Sequence, residues 1–134
     1  SIEEIKNSLH FLSKTLGIRI YYRKIKIGDA EGSYSYLINT FGKLTKSWII
    51  IDKETTKEKQ LLILPHELGH ALGWSLYPKR KKLDQWLNYS KGIIQREIEA
   101  WKNARSILSS IGYVDWKGFN QYKRTCLRYY RRHT

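Results

Sequence analysis

The chain has 134 residues, enough for one domain with a single hydrophobic core and no need of cross-links. One cysteine excludes an internal disulfide, no apolar run approaches the roughly 20 residues of a membrane span, and no apolar leader opens the sequence, so a cytoplasmic protein with no membrane partner is expected. A net charge of +13 fits either a polyanionic partner or plain solubility, and composition does not choose between them.

In chain order, Ile2, Ile5, Leu9, Leu12 and Leu16 recur at three- and four-residue steps, which predicts an amphipathic helix stopped by Gly17. His10 lies beside that stripe and reads as a boundary histidine rather than a ligand. The β-branched and aromatic run over 18–27 predicts a strand, 28–32 a turn and 33–39 a second strand, the two forming a hairpin. Phe41-Gly42-Lys43 turns into a third strand, 47–52, apolar enough to be buried on both faces or nearly so. Thr55 and Glu58 fit a Thr-x-x-Glu capping box that opens the next helix. Pro65 leaves two outcomes open: a kink before His66, or a new helix with Pro65 at its first position.

Beyond Gly73 come Pro78, the cluster Lys79-Arg80-Lys81-Lys82 and a short helix over 83–89. Ile94, Ile98, Trp101, Ala104 and Leu108 define one face of a helix over 93–110, with Gly112 as its stop. Asp115 caps a last basic helix, about 113–134. In it Trp116, Phe119, Tyr122, Cys126 and Tyr129 or Tyr130 recur at helical spacing, as a packed face requires. Cys126 is then a small helix-face residue, not a nucleophile. The expected fold is α+β: a helix, a small three-stranded, mostly antiparallel sheet, then three helices, in one domain over 1–134.

The chemistry is concentrated in His66-Glu67-Leu68-Gly69-His70. Histidines four residues apart on a helix lie on one face, so both imidazoles can reach one ion. Glu67 sits about 100° round the helix, beside the metal, where a carboxylate can take a proton from water. Leu61–Leu64 and Ala71–Gly73 flank the motif and make this a buried helix, in which ionisable groups need a partner or a metal. Two histidines leave a third ligand to find. A metzincin would carry a third histidine where Leu76 stands, which excludes that class. Among Asp84, Glu97, Glu99 and Asp115, Glu97 falls within about 40° of Trp101, inside the apolar face of its helix. A metal explains a carboxylate there, and a buried salt bridge to an arginine is the competing account. Glu99 points the other way, towards basic neighbours.

The motif, followed by a helix bearing Glu-x-x-Ala-x-x-x-Ala at Glu97, Ala100 and Ala104, resembles the ImmA/IrrE group of gluzincin-type metallopeptidase domains over roughly residues 1–110. Pro65 and the segment 106–110 depart from that group's usual pattern. The resemblance implies a zincin-like fold, with zinc (Zn2+) held by His66, His70 and Glu97 and with Glu67 as general base. The expected function is hydrolysis of a protein or peptide substrate, which would pair with the strand over 48–52. The alternative is a zinc-stabilised, non-catalytic module that binds nucleic acid or another polyanion through Lys79, Arg80, Lys81, Lys82, Arg124, Arg128, Arg131 and Arg132, with interleaved aromatics suited to single strands.

Overall fold

The structure, a computed structural model, describes residues 1–25, 30–76 and 90–133. The expected helix over 83–89, the basic cluster over 79–82, Asp84 and the turn at 28–29 lie outside the described residues.

Helix α1 (Ile2–Thr15) opens at Ser1, whose Oγ accepts the Glu4 amide at 3.2 Å. It closes where Gly17 adopts φ 73°, a conformation that side chains with a Cβ disfavour. Its Ile5 and Leu9 enter the core. His10 donates or accepts a 2.7 Å hydrogen bond with the Tyr22 hydroxyl and stacks on that ring, a structural pairing.

Strands β1 (Arg19–Arg23), β2 (Gly32–Ile38) and β3 (Leu44–Asp52) form one sheet in the order β1-β3-β2. The expected hairpin between the first two strands is therefore corrected. β3 inserts between them, parallel to β1 with Ile20 opposite Ile49, and antiparallel to β2 with Ser35 opposite Trp48. The physical reason is apolar content. Trp48–Ile51 is the most apolar stretch of the three strands, and the central position covers both of its edges while burying Ile49 and Ile51 completely. Trp48 and Ile50, on the opposite face, stay half-buried, so β3 is buried on one face rather than two. The true hairpin joins β2 to β3, its turn fixed by Asn39 Oδ1, which accepts the amides of Phe41 (2.9 Å) and Lys43 (3.0 Å).

Helix α2 (Lys57–Leu76) starts one residue later than a Thr55 cap would set it. Thr56 Oγ1 accepts the Lys59 amide at 3.2 Å, while the Thr55 hydroxyl is turned back onto the Asp52 carbonyl at 2.6 Å. Pro65 neither ends α2 nor begins a helix. Its missing amide costs the helix one hydrogen bond, yet every residue from 61 to 69 is buried, and that burial holds the helix through the defect.

Helix α3 (Ser90–Ser110) packs along α2 more extensively than any other pair of elements. The crossing is close because Gly69 has no side chain: a Cβ there would overlap the Ala100 carbonyl. Ala100 and Ala104 are fully buried in the same seam, and Asn103 Nδ2 donates to the Gly69 carbonyl at 3.0 Å. Helix α4 (Trp116–His133) is capped by Asp115, whose Oδ1 accepts the Gly118 amide at 3.1 Å. Phe119 and Leu127 join α4 to a core shared with Leu9, Ile49, Ile63, Leu68, Trp101 and Leu108. Among the described residues no helix is long and apolar enough to cross a membrane.

Candidate metal centre

One turn of α2 brings the two motif histidines together, their ring centroids 4.8 Å apart. The close α2–α3 crossing then lifts Glu97 to meet them. His66 Nε2 lies 2.8 Å from Glu97 Oε2, and His70 Nε2 lies 3.1 Å from Oε1. One ligand atom from each of these three residues lies within 4.8 Å of the others. Glu97 is thus met by two imidazoles rather than by an arginine. Glu99, one turn-face away, is part-exposed, accepts from Gln95 Nε2 at 3.3 Å and has Lys102 Nζ at 3.7 Å, which is the solvent-side role expected of it. Asp115 serves as the cap of α4.

This group could hold a metal ion. His66, His70 and Glu97 would hold it, their facing nitrogen and oxygen atoms already being within 4.8 Å of one another. The donor set, two imidazoles and a carboxylate with one position left open, suits a borderline metal such as zinc.

Electrostatics point the same way. Burial alone would strip the proton from His66, but hydrogen bonds and charge from Glu67 and Glu97 override it and push its pKa up to about 9. Burial would raise Glu97, yet its contacts with His66 and His70 hold it well below the usual carboxylate range. In this state a proton on His66 balances the buried carboxylates, and a cation would take the place of that proton.

Glu67 lies beside the group, with Oε2 3.4 Å from His66 Nδ1. Two clefts meet at its carboxylate. One, of about 270 Å³, is walled by β2 from Gly32 to Tyr36 and by His70 and Ala100. The other, of about 1040 Å³, runs between α4 and the first half of α2, past Lys59, Tyr122 and Cys126. Gly32, His66, Glu67 and Tyr130 line both.

β2 is an edge strand of the sheet, and it crosses α2 at Gly32, where an added Cβ would meet Ile63 Cγ2 and Glu67 Oε2. The strand expected to pair with a substrate, 48–52, is hydrogen-bonded on both sides. Of the two edge strands, β1 and β2, it is β2 that lines the clefts beside Glu67. Cys126 faces the larger cleft as a thiol: burial first, then the charges of Glu97, Glu31 and Glu67, push its pKa up to about 11.

Two residues of the site escaped the sequence reading. Trp101, completely buried, lies flat under His66 with centroids 4.3 Å apart and planes 13° apart, so it fixes the orientation of that imidazole. It was visible only as one member of an apolar face. Tyr130 reaches both clefts from α4; burial and the adjacent Glu97 carboxylate hold its hydroxyl protonated well above the ordinary tyrosine range. Phase could have found it, since at about 100° per residue Tyr130 falls within about 20° of Phe119, and Tyr129 does not. Compared with protein-family models, curated proteins and solved structures, the chain matches none.

Proposed function

We propose that this protein is a zinc-dependent peptidase that hydrolyses peptide bonds in an extended protein or peptide segment. The observation that carries the reading is the position of the Glu67 carboxylate beside a buried His66–His70–Glu97 group, where two clefts meet against β2, an edge strand of the sheet. The sequence resemblance to ImmA/IrrE-type peptidase domains rests on these same residues and fits the reading.

His66, His70 and Glu97 would hold the ion, which when bound supplies Lewis acidity towards a carbonyl and lowers the pKa of a coordinated water towards ~7. Trp101 keeps the His66 ring from turning away. The substrate backbone extends β2 by one strand, which delivers a peptide bond across Glu67 from one cleft to the other. Glu67 accepts a proton from the attacking water and returns it to the departing amine. Tyr130, its hydroxyl kept protonated by burial and the neighbouring Glu97, would donate a hydrogen bond towards the reacting carbonyl.

Elemental analysis of the purified protein, run with Glu97→Ala, Glu99→Ala and Glu67→Gln, tests the reading alongside a peptide-library cleavage assay. Close to one zinc per chain is expected, lost in Glu97→Ala and kept in the other two, with cleavage abolished in Glu67→Gln. A chain that takes up no zinc on reconstitution overturns the proposal. Zinc binding with cleavage indifferent to Glu67→Gln overturns the assigned base.

A further inference from the structure

Helix α4 has two unlike faces. Phe119, Tyr122, Leu127 and Tyr130 point inward to the core and the clefts. Outward, Lys117, Arg124, Arg128, Arg131 and Arg132 are all exposed. At about 100° and 1.5 Å per residue these five occupy an arc of about 100° and a length of about 22 Å. The helix contains no carboxylate, and none of the five is ion-paired with a described residue.

Helix stability explains only part of this stripe. Cations in a last turn, here Arg131 and Arg132, are favoured by the helix dipole. Lys117 in the first turn is disfavoured by it, and Arg124 lies mid-helix, where the dipole has little effect. Each like-charged neighbour at three or four residues adds a small further penalty. The row is therefore kept at a cost that folding does not recover.

We infer that this face of α4 is a docking surface for duplex nucleic acid, gripped through its phosphates. A cation row confined to one face over this length suits a phosphate backbone, a continuous line of negative charge that releases counterions when it is neutralised. The aromatic residues decide against a single strand. Trp116 packs edge-on to Phe119 and Tyr122 edge-on to Trp101, all against the core, so they offer no stacking platform, and Tyr129 is the one large aromatic of the helix that is exposed. An anionic membrane fits less well, because an interfacial helix must bury its apolar face in lipid and that face of α4 is already in the core. This surface lies on the side of α4 away from the metal group and does not depend on the peptidase reading.

The test is fluorescence anisotropy of the full-length protein with a labelled duplex of about 20 base pairs, the matching single strand, and vesicles containing phosphatidylserine, at about 50 to 200 mM NaCl. Engagement of about four phosphates predicts a duplex affinity that falls roughly a hundredfold over that range. Arg124→Glu with Arg128→Glu should weaken duplex binding at least tenfold and make the salt slope shallower by about two. Arg124→Gln, a milder change at an exposed site, should lower the slope by about one. Lys43→Glu with Lys46→Glu, an equal charge change on the β2–β3 hairpin, should bind like the unmutated chain. Circular dichroism of each variant establishes that it is folded, and Glu67→Gln should bind duplex undiminished. Duplex affinity unchanged by both α4 variants, tighter binding of the single strand, or binding of vesicles without duplex each overturns the inference.

Discussion

His66 faces both carboxylates of the site, and its proton ties stability to pH in opposite ways with and without a metal. Without metal, its folded pKa of about 9 stands above the ordinary 6.5, so its contribution is complete below about 6.5 and is lost as pH rises towards 9. Glu97, held below its ordinary 4.5, contributes above that pH and loses its contribution as pH falls. Chelator-treated protein should therefore melt highest between pH 5 and 6.5 and several degrees lower at pH 9, with the loss much reduced in Glu97→Gln. With saturating zinc the unfolded imidazole takes up a proton below about 6.5 that the loaded site excludes, so melting temperature should climb to that pH and then level off. Thermal scans at four or five pH values, with and without zinc, decide the matter; a metal-free protein most stable at pH 9 would show that the pairing with Glu67 and Glu97 is absent in solution. At this scale the sequence was informative where spacing alone fixes geometry. His66 and His70 share a helical turn whatever surrounds them, and Glu97 betrays itself as a carboxylate inside an apolar stripe. Trp101 and Tyr130 were not legible as site residues, because an aromatic side chain that packs a core and one that supports a ligand follow the same periodicity.

Two glycines of α2 put the helix crossing to a direct test. At Gly69 a methyl group would overlap the Ala100 carbonyl, whereas at Gly73 it would meet nothing within 4 Å. Gly73→Ala should stabilise the protein by about 0.5–1 kcal/mol, the usual gain from replacing glycine inside a helix. The chemically identical Gly69→Ala should destabilise it, force α3 outward and weaken zinc binding at least tenfold by drawing Glu97 away from the two histidines. Urea titration and competition with a zinc chelator measure both effects; equal behaviour of the two variants would mean that the crossing does not set the ligand geometry. Helix positions were legible in advance because periodicity, caps and stop glycines are local signals, as with Asp115 and Gly17. The sheet was less so. Nothing local in 18–39 records that a later strand will part the first two, since strand order is decided by which strand gains most from being central, here Trp48–Ile51. The shift of the α2 cap from Thr55 to Thr56 has a similar origin: two adjacent threonines compete, and the Asp52 carbonyl takes the first.

Across the whole molecule, α4 joins the two proposed activities by presenting Tyr130 to the metal group on one side and its cation row to solvent on the other. Among the described residues no strand pairs with the outer edge of β2, which adds a consequence of its own. An edge that can accept a peptide strand can equally accept the β2 of a second molecule, and the hairpin beside it exposes Leu37 and Phe41, the latter at 92%. The net charge of +13 opposes such an encounter by mutual repulsion. That protection is ionic and shrinks with the Debye length, from ~10 Å at 0.1 M salt to ~3 Å at 1 M. Light scattering should therefore find the protein monodisperse in dilute salt and self-associating in concentrated salt, with a saturating peptide substrate restoring the single species. The same strand then sets a storage condition as well as the proposed binding mode: low salt, where the net charge opposes pairing at that edge, is expected to keep this protein best.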